Sequence, residues 1–140
     1  MTKYAWGQTS RTMLAQCAPD LQVLWNRVIA RDDLPFDLKV TCGYRGEADQ
    51  NKAYAEKKSR LKFPNSKHNK SPSLATDVSP FVDGTISWDW KLYNQLAPIV
   101  KNEWEKMTTE AKVRGRTLPK LVWGGDWVKL QDGPHWQLGD

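Results

Sequence analysis

Asp132-Gly133-Pro134-His135-Trp136-Gln137-Leu138 closes the chain, and its reading depends on an earlier pair of segments, Ser66-Lys67-His68 and Ala75-Thr76-Asp77. His68 and His135 are the 2 histidines of the 140-residue sequence. Each lies among carboxylates and loop-forming residues. A histidine kept for packing or for a polar surface does not require that company. Two histidines and a carboxylate are a metal-ligating set, so His68, Asp77 and His135 are candidate ligands of one site. Asp132 lies on the same loop-to-strand segment as His135 and is a candidate base. Arg45 follows a candidate strand and offers a cation for a developing oxyanion.

Working outward, the length suits one domain, 1–140, with a core large enough to need no staples. The net charge of +5 and a pI near 9.2 favour an anionic partner: nucleic acid, anionic lipid or an acidic cell-wall polymer. Much of that charge is local. Lys52, Lys57, Lys58, Arg60, Lys62, Lys67 and Lys70 face Glu56 alone, and the run leads into His68. It borders the candidate site, which favours an acidic substrate over a merely solvated face. Cys17 and Cys42 read as small, buried, reduced residues outside any ligand spacing. The first residues lack the apolar core of a signal peptide, and no apolar run spans a bilayer. The expectation is synthesis in a host cytoplasm and action elsewhere after release.

The apolar positions Leu14, Cys17, Leu21, Leu24 and Val28 recur at helical steps, with Pro19 dividing a short helix from one that ends near Arg31. Phe36 to Tyr44 alternates as a half-buried strand, with Phe36, Leu38, Val40 and Cys42 on one face. Gly46 to Lys58 is a polar helix, and Leu74 to Val78 a short strand turning at Asp83-Gly84 into Thr85-Ile86. Ser87 is a candidate cap for a long helix faced by Leu92, Leu96, Val100, Trp104, Met107 and Ala111, kinked or broken at Pro98. Leu121 to Trp123 and His135 to Leu138 are the last strands. The fold class is α+β, with helices packed on an antiparallel sheet. Most of the 8 tryptophans belong in its core, while Trp123, Trp127 and Trp136, near His135, can also wall a cleft.

Cys42-Gly43-Tyr44-Arg45 with Gln50, the His68 and Asp77 segments, and Asp132 to Leu138 together resemble the D-alanyl-D-alanine carboxypeptidase and L-alanyl-D-glutamate endopeptidase family of zinc peptidases. The resemblance covers about Leu21 to Leu138 and is strongest to small, single-domain bacteriophage endolysins. It implies the hedgehog-like zinc fold, Zn2+ on His68, Asp77 and His135, and Asp132 as the catalytic acid. It further implies Arg45 as stabiliser of the tetrahedral intermediate and Ser66 and Gln50 as site residues, with Trp136 beside the substrate. The implied activity is hydrolysis of the peptidoglycan stem peptide, at the L-Ala–D-Glu bond, for host lysis by a monomer. The same chemistry at D-Ala–D-Ala is the alternative. The family pattern has six residues between histidine and aspartate, whereas this chain has eight, the extra pair falling in Ser71-Pro72-Ser73; Asp83 and Asp126 are the substitute carboxylates.

Two other classes compete. A non-catalytic cell-wall binding module with a vestigial metal centre has no need for an acid at Asp132 or a cation at Arg45. A nucleic-acid binder accounts for pI and aromatics but not for the histidine–carboxylate groupings. Neither nucleic acid nor a membrane anchor is therefore expected as a partner.

Overall fold

The computed structural model describes residues 3–139. Helix α1 (Gln8–Leu14) is followed by α2 (Pro19–Ile29), which Pro19 opens from its first position, where its missing N–H costs nothing. Leu21, Leu24, Trp25, Val28 and Ile29 form one buried face of α2. Strand β1 (Asp37–Cys42) leads to α3 (Glu47–Ala55), a surface helix whose buried residue is Gln50. Strand β2 (Ala75–Val82) outruns the expected Leu74 to Val78 and turns at Asp83 and Gly84 into β3 (Thr85–Ile86). Both turn residues have positive φ, 53° and 76°, as a two-residue hairpin turn matching strand twist requires.

Helix α4 (Trp90–Val113) carries the second apolar face, against α2. Its cap is Asp89, whose Oδ1 accepts from the Lys91 amide at 3.0 Å, rather than Ser87, which instead accepts from the Asp89 amide at 3.2 Å. The helix also runs through Pro98 without ending. Pro98 and Asn94, whose carbonyl the proline leaves unpaired, are both exposed, so solvent can satisfy that carbonyl. After β4 (Leu121–Trp123), an eleven-residue connection that opens with a 3-10 turn (Gly124–Asp126) carries the chain to β5 (His135–Leu138).

The sheet order is β1-β2-β5-β4, with β3 pairing the far end of β2, and every pairing is antiparallel. Period-two alternation gives the central strands two faces of different chemistry. Thr76, Val78, Trp136 and Leu138 are buried with α2 and α4, whereas Asp77 and His135 come from the intervening positions and are cross-strand partners. Trp25 ties the layers together. Its indole N–H donates to Thr76 Oγ1 at 2.9 Å, and its ring meets Trp136 edge-on at 6.2 Å. Trp25→Ala is expected to destabilise the fold by about 3–5 kcal/mol, from lost burial plus a cavity. Chemical denaturation measures it, and a loss below about 1 kcal/mol would contradict the assignment of Trp25 to the joint between helices and sheet.

Candidate active site

Asp77 is the meeting point. Across β2 and β5 it faces His135, whose Nδ1 lies 3.2 Å from Asp77 Oδ1. From the other side His68 Nε2 approaches the same oxygen at 3.1 Å. The lengthened His68–Asp77 loop is absorbed by docking: Ser73 N–H donates to the Gln16 carbonyl, and the Ser73 carbonyl accepts from Ala18 N–H, each at 2.8 Å. The extra residues thus lie against the α1–α2 turn, and His68 still reaches Asp77. The substitute carboxylates do not. Asp83 is in the hairpin turn six residues along the chain, about 20 Å at strand rise. Asp126 is exposed and paired with Lys101 at 2.7 Å.

The outer nitrogens of the two rings define their protonation. His68 Nδ1–H donates to the Gly43 carbonyl at 2.8 Å, and a carbonyl can only accept. His135 Nε2 lies 2.7 Å from Gln137 Oε1, again an acceptor, so its proton is assigned to Nε2. In their neutral forms both rings therefore aim a lone pair at a carboxylate oxygen. That arrangement is repulsive unless a ring is protonated or a cation lies among the three atoms. Ligands 2.0–2.2 Å from a tetrahedral zinc lie roughly 3.3–3.6 Å apart, so separations of 3.1 and 3.2 Å need only slight expansion. The outer hydrogen bonds are also of the kind that orient metal-bound imidazoles. Both separations from Asp77 are therefore compatible with a shared divalent cation.

Cys42 departs from its sequence reading. A bulge between Val40 and Cys42 breaks the strand alternation, so Cys42 leaves the apolar face and becomes half-buried beside the site. Its Sγ lies 3.6 Å from His68 Nδ1. Ligand atoms of Cys42, His68 and Asp77 all fall within 4.8 Å of one another, a second donor set sharing two members with the first. Cys42, however, meets the His68 nitrogen that Gly43 already occupies. Cys17 is buried as expected, and both thiols are free.

The remaining candidates fall into two groups. Arg45 reaches the site, its Nη2 lying 3.6 Å from Asp77 Oδ2. Gln50 and Ser66 are buried and act through others. Gln50 Oε1 accepts from Arg45 Nη1 at 3.1 Å and from Asn69 Nδ2 at 3.2 Å. Ser66 Oγ accepts from the His68 amide at 3.2 Å, and Asn69 Oδ1 accepts from the Ser66 amide at 3.0 Å, a capping box on the turn carrying His68. Asn69 is the link that sequence reasoning missed. Trp136 is 1 % exposed and stacks on Trp123 at 5.6 Å. It belongs to the core and not beside substrate, because the neighbour of His135 on a strand must face the other way. Trp127, tilted against His135 at 5.1 Å, is the partly exposed member of that cluster.

Asp132 is held close by tight backbone packing. Its amide donates to the Gly124 carbonyl at 3.0 Å, and a Cβ at Gly124 would meet the Asp132 carbonyl at 2.4 Å and His135 Cβ at 3.1 Å. Burial, followed by the charge of Asp77, pushes the Asp132 carboxyl above its ordinary range, although His135, His68 and Arg45 oppose this. That suits a group that must both take and give a proton. Burial would lower His68 and raise Asp77, but their mutual attraction prevails in each. With no cation bound, His68 is held up at about 10 and Asp77 well below the usual carboxylate range.

The family described as phage L-alanyl-D-glutamate peptidase matches residues 2–137. Among solved structures, the chain is similar to the L-Ala D-Glu endopeptidase ChiX of Serratia marcescens, with a TM-score of 0.73 and 27% sequence identity over 98% of this chain and 92% of that one. The fold and the site thus define a hydrolase of the peptidoglycan-peptidase kind. The chain belongs to the phage L-alanyl-D-glutamate peptidase family and is a peptidoglycan-cleaving endopeptidase.

The electrostatics generate a pH prediction for the chelated protein. The pKa of His68 is higher folded, about 10, than unfolded, about 6.5, so its contribution is full below pH 6.5 and is lost as pH rises toward 10. Asp77, depressed on folding, contributes above its unfolded pKa of about 3.9 and loses that contribution as pH falls. The melting temperature in chelator is expected to decline from pH 6.5 to 9 in the wild type and much less in His68→Gln. Equal slopes in the two proteins would contradict the pairing.

Proposed function

We propose that the chain hydrolyses the L-Ala–D-Glu bond of the stem peptide with Zn2+ held by His68, Asp77 and His135, as a phage lysis enzyme acting on the cell wall. The observation that carries this reading is the convergence of His68 Nε2 and His135 Nδ1 on one Asp77 oxygen, each able to offer a lone pair there in its neutral form. Bound there, zinc would supply Lewis-acid activation of water and of the scissile carbonyl. His135 is preferred to Cys42 as third ligand because its free lone pair faces Asp77, whereas Cys42 borders the occupied side of His68.

The protein's own groups do the rest. Asp132, its proton affinity raised by burial, accepts a proton from the attacking water and returns it to the departing amine of D-Glu. The Arg45 guanidinium, braced by Gln50, steadies negative charge developing on the L-Ala carbonyl oxygen. Exposed basic residues between Lys52 and Lys70 attract the acidic stem peptide. No helix among the described residues is long and apolar enough to cross a membrane. In this reading the enzyme works as a monomer after release from the cytoplasm.

Digestion of purified peptidoglycan, followed by mass spectrometry, tests the bond and the metal together. The expected product has a new N-terminal D-Glu, and a chelator abolishes it until zinc is restored. Asp132→Ala is expected to keep zinc and fold but lose about 10²–10⁴-fold in kcat. Release of D-Ala would instead indicate the carboxypeptidase, chelator-resistant cleavage would remove the metal, and full activity in Asp132→Ala would remove the base.

A further inference from the structure

Trp88 and Trp90 are the exposed tryptophans among the described residues, 68% and 42% exposed, at the entry to α4. Two exposed indoles two residues apart in sequence form an apolar patch of the kind that marks a binding surface. Trp90 is rooted, lying 6.4 Å from Trp123, which stacks in turn on Trp136. Together with Tyr93 the two indoles face the Gln131–Pro134 loop across a groove of about 230 Å³. That loop is rigidly held. Trp123 Nε1–H donates to the Gly133 carbonyl at 2.7 Å, and the Pro134 carbonyl accepts from Val78 N–H at 2.9 Å. Asp132 lines this groove as well as belonging to the candidate active site.

Charge decides what fits. Asp132 is the charged residue of this lining, and no cation is among them. An acidic peptide is therefore a poor occupant. The cations lie across the sheet: Asp77 pairs with Cys42 of β1 on one side and with His135 of β5 on the other. After β1 the chain carries Arg45, which reaches Asp77, and then the exposed Lys52, Lys57, Lys58, Arg60 and Lys62. The aromatic groove lies on the β5 side, where the Gln131–Pro134 loop leads into that strand. The substrate has the same two halves about the bond to be cut. On the D-Glu side it is a peptide bearing free carboxylates. On the L-Ala side it reaches, within one residue, the muramyl sugar of the glycan, whose pyranose C–H faces pack on aromatic rings.

We propose that the Trp88–Trp90 groove is a sugar-binding subsite that receives the N-acetylmuramyl ring, setting the substrate across Asp77 with glycan over the indoles and acidic peptide toward Arg45. This rests on the endopeptidase reading above. The test compares two neutral-capped substrates, N-acetylmuramyl-L-Ala-D-Glu-diamino acid and N-acetyl-L-Ala-D-Glu-diamino acid. The wild type is expected to favour the muramyl form about ten-fold in kcat/KM, the size of one good ring contact. Trp88→Ala and Trp90→Ala are each expected to bring that ratio close to one, and Trp88→Phe to restore most of it. A wild type that treats the two alike overturns the subsite. So do alanine variants that lower both substrates equally, since the groove would then hold peptide. A wild type that cuts neither, at any sugar content, overturns the endopeptidase reading itself.

Discussion

One carboxylate oxygen shared by two imidazoles is the constraint on which the rest of this structure depends. Asp77 Oδ1 cannot accept a hydrogen bond from either ring while both are neutral and their outer nitrogens donate elsewhere. Protonation of His68 relieves the conflict in one way, and a divalent cation relieves it in another. Nearly every local feature serves to keep the three groups there. Gly43 and Gln137 fix the outer faces of the rings, Ser66 and Asn69 cap the turn bearing His68, and Ser73 docks the loop that carries the chain back to Asp77.

The sheet explains why distant parts of the sequence reach one point. Asp77 is on a central strand, so its neighbours β1 and β5 bring Arg45 and His135 to its two sides. Glycine permits a close approach at Gly124, where any side chain would press on Asp132 and His135. The same backbone that seats the proposed base also lines the aromatic groove, so the base and the proposed sugar subsite are set by one loop.

Much of this was legible in the residues. Helical steps from Leu14 to Val28, with Pro19 between, mark the two first helices, and the Asp83-Gly84 turn marks the hairpin. The grouping of His68, Asp77, His135 and Asp132 was readable because few other roles bring such residues together. What was not readable depended on tertiary context. Pro98 signals a break, but on a solvent face the helix absorbs it. The alternation of β1 predicts Cys42 on the apolar face, and the bulge at Val40 to Cys42 re-aims it. Gln50 and Ser66 carry polar groups suited to substrate, yet burial turns them toward Arg45 and His68. Trp136 is different, since its place was implicit in the pattern: adjacent residues of one strand cannot both face the site.

The identity of the third ligand separates the two donor sets that share His68 and Asp77. X-ray absorption at the zinc edge of the metal-loaded protein reads it directly. Nitrogen and oxygen neighbours at about 2.0–2.2 Å with no sulfur shell are the predicted result, from His68, Asp77 and His135. A sulfur shell at about 2.3 Å would place Cys42 on the metal and contradict the account.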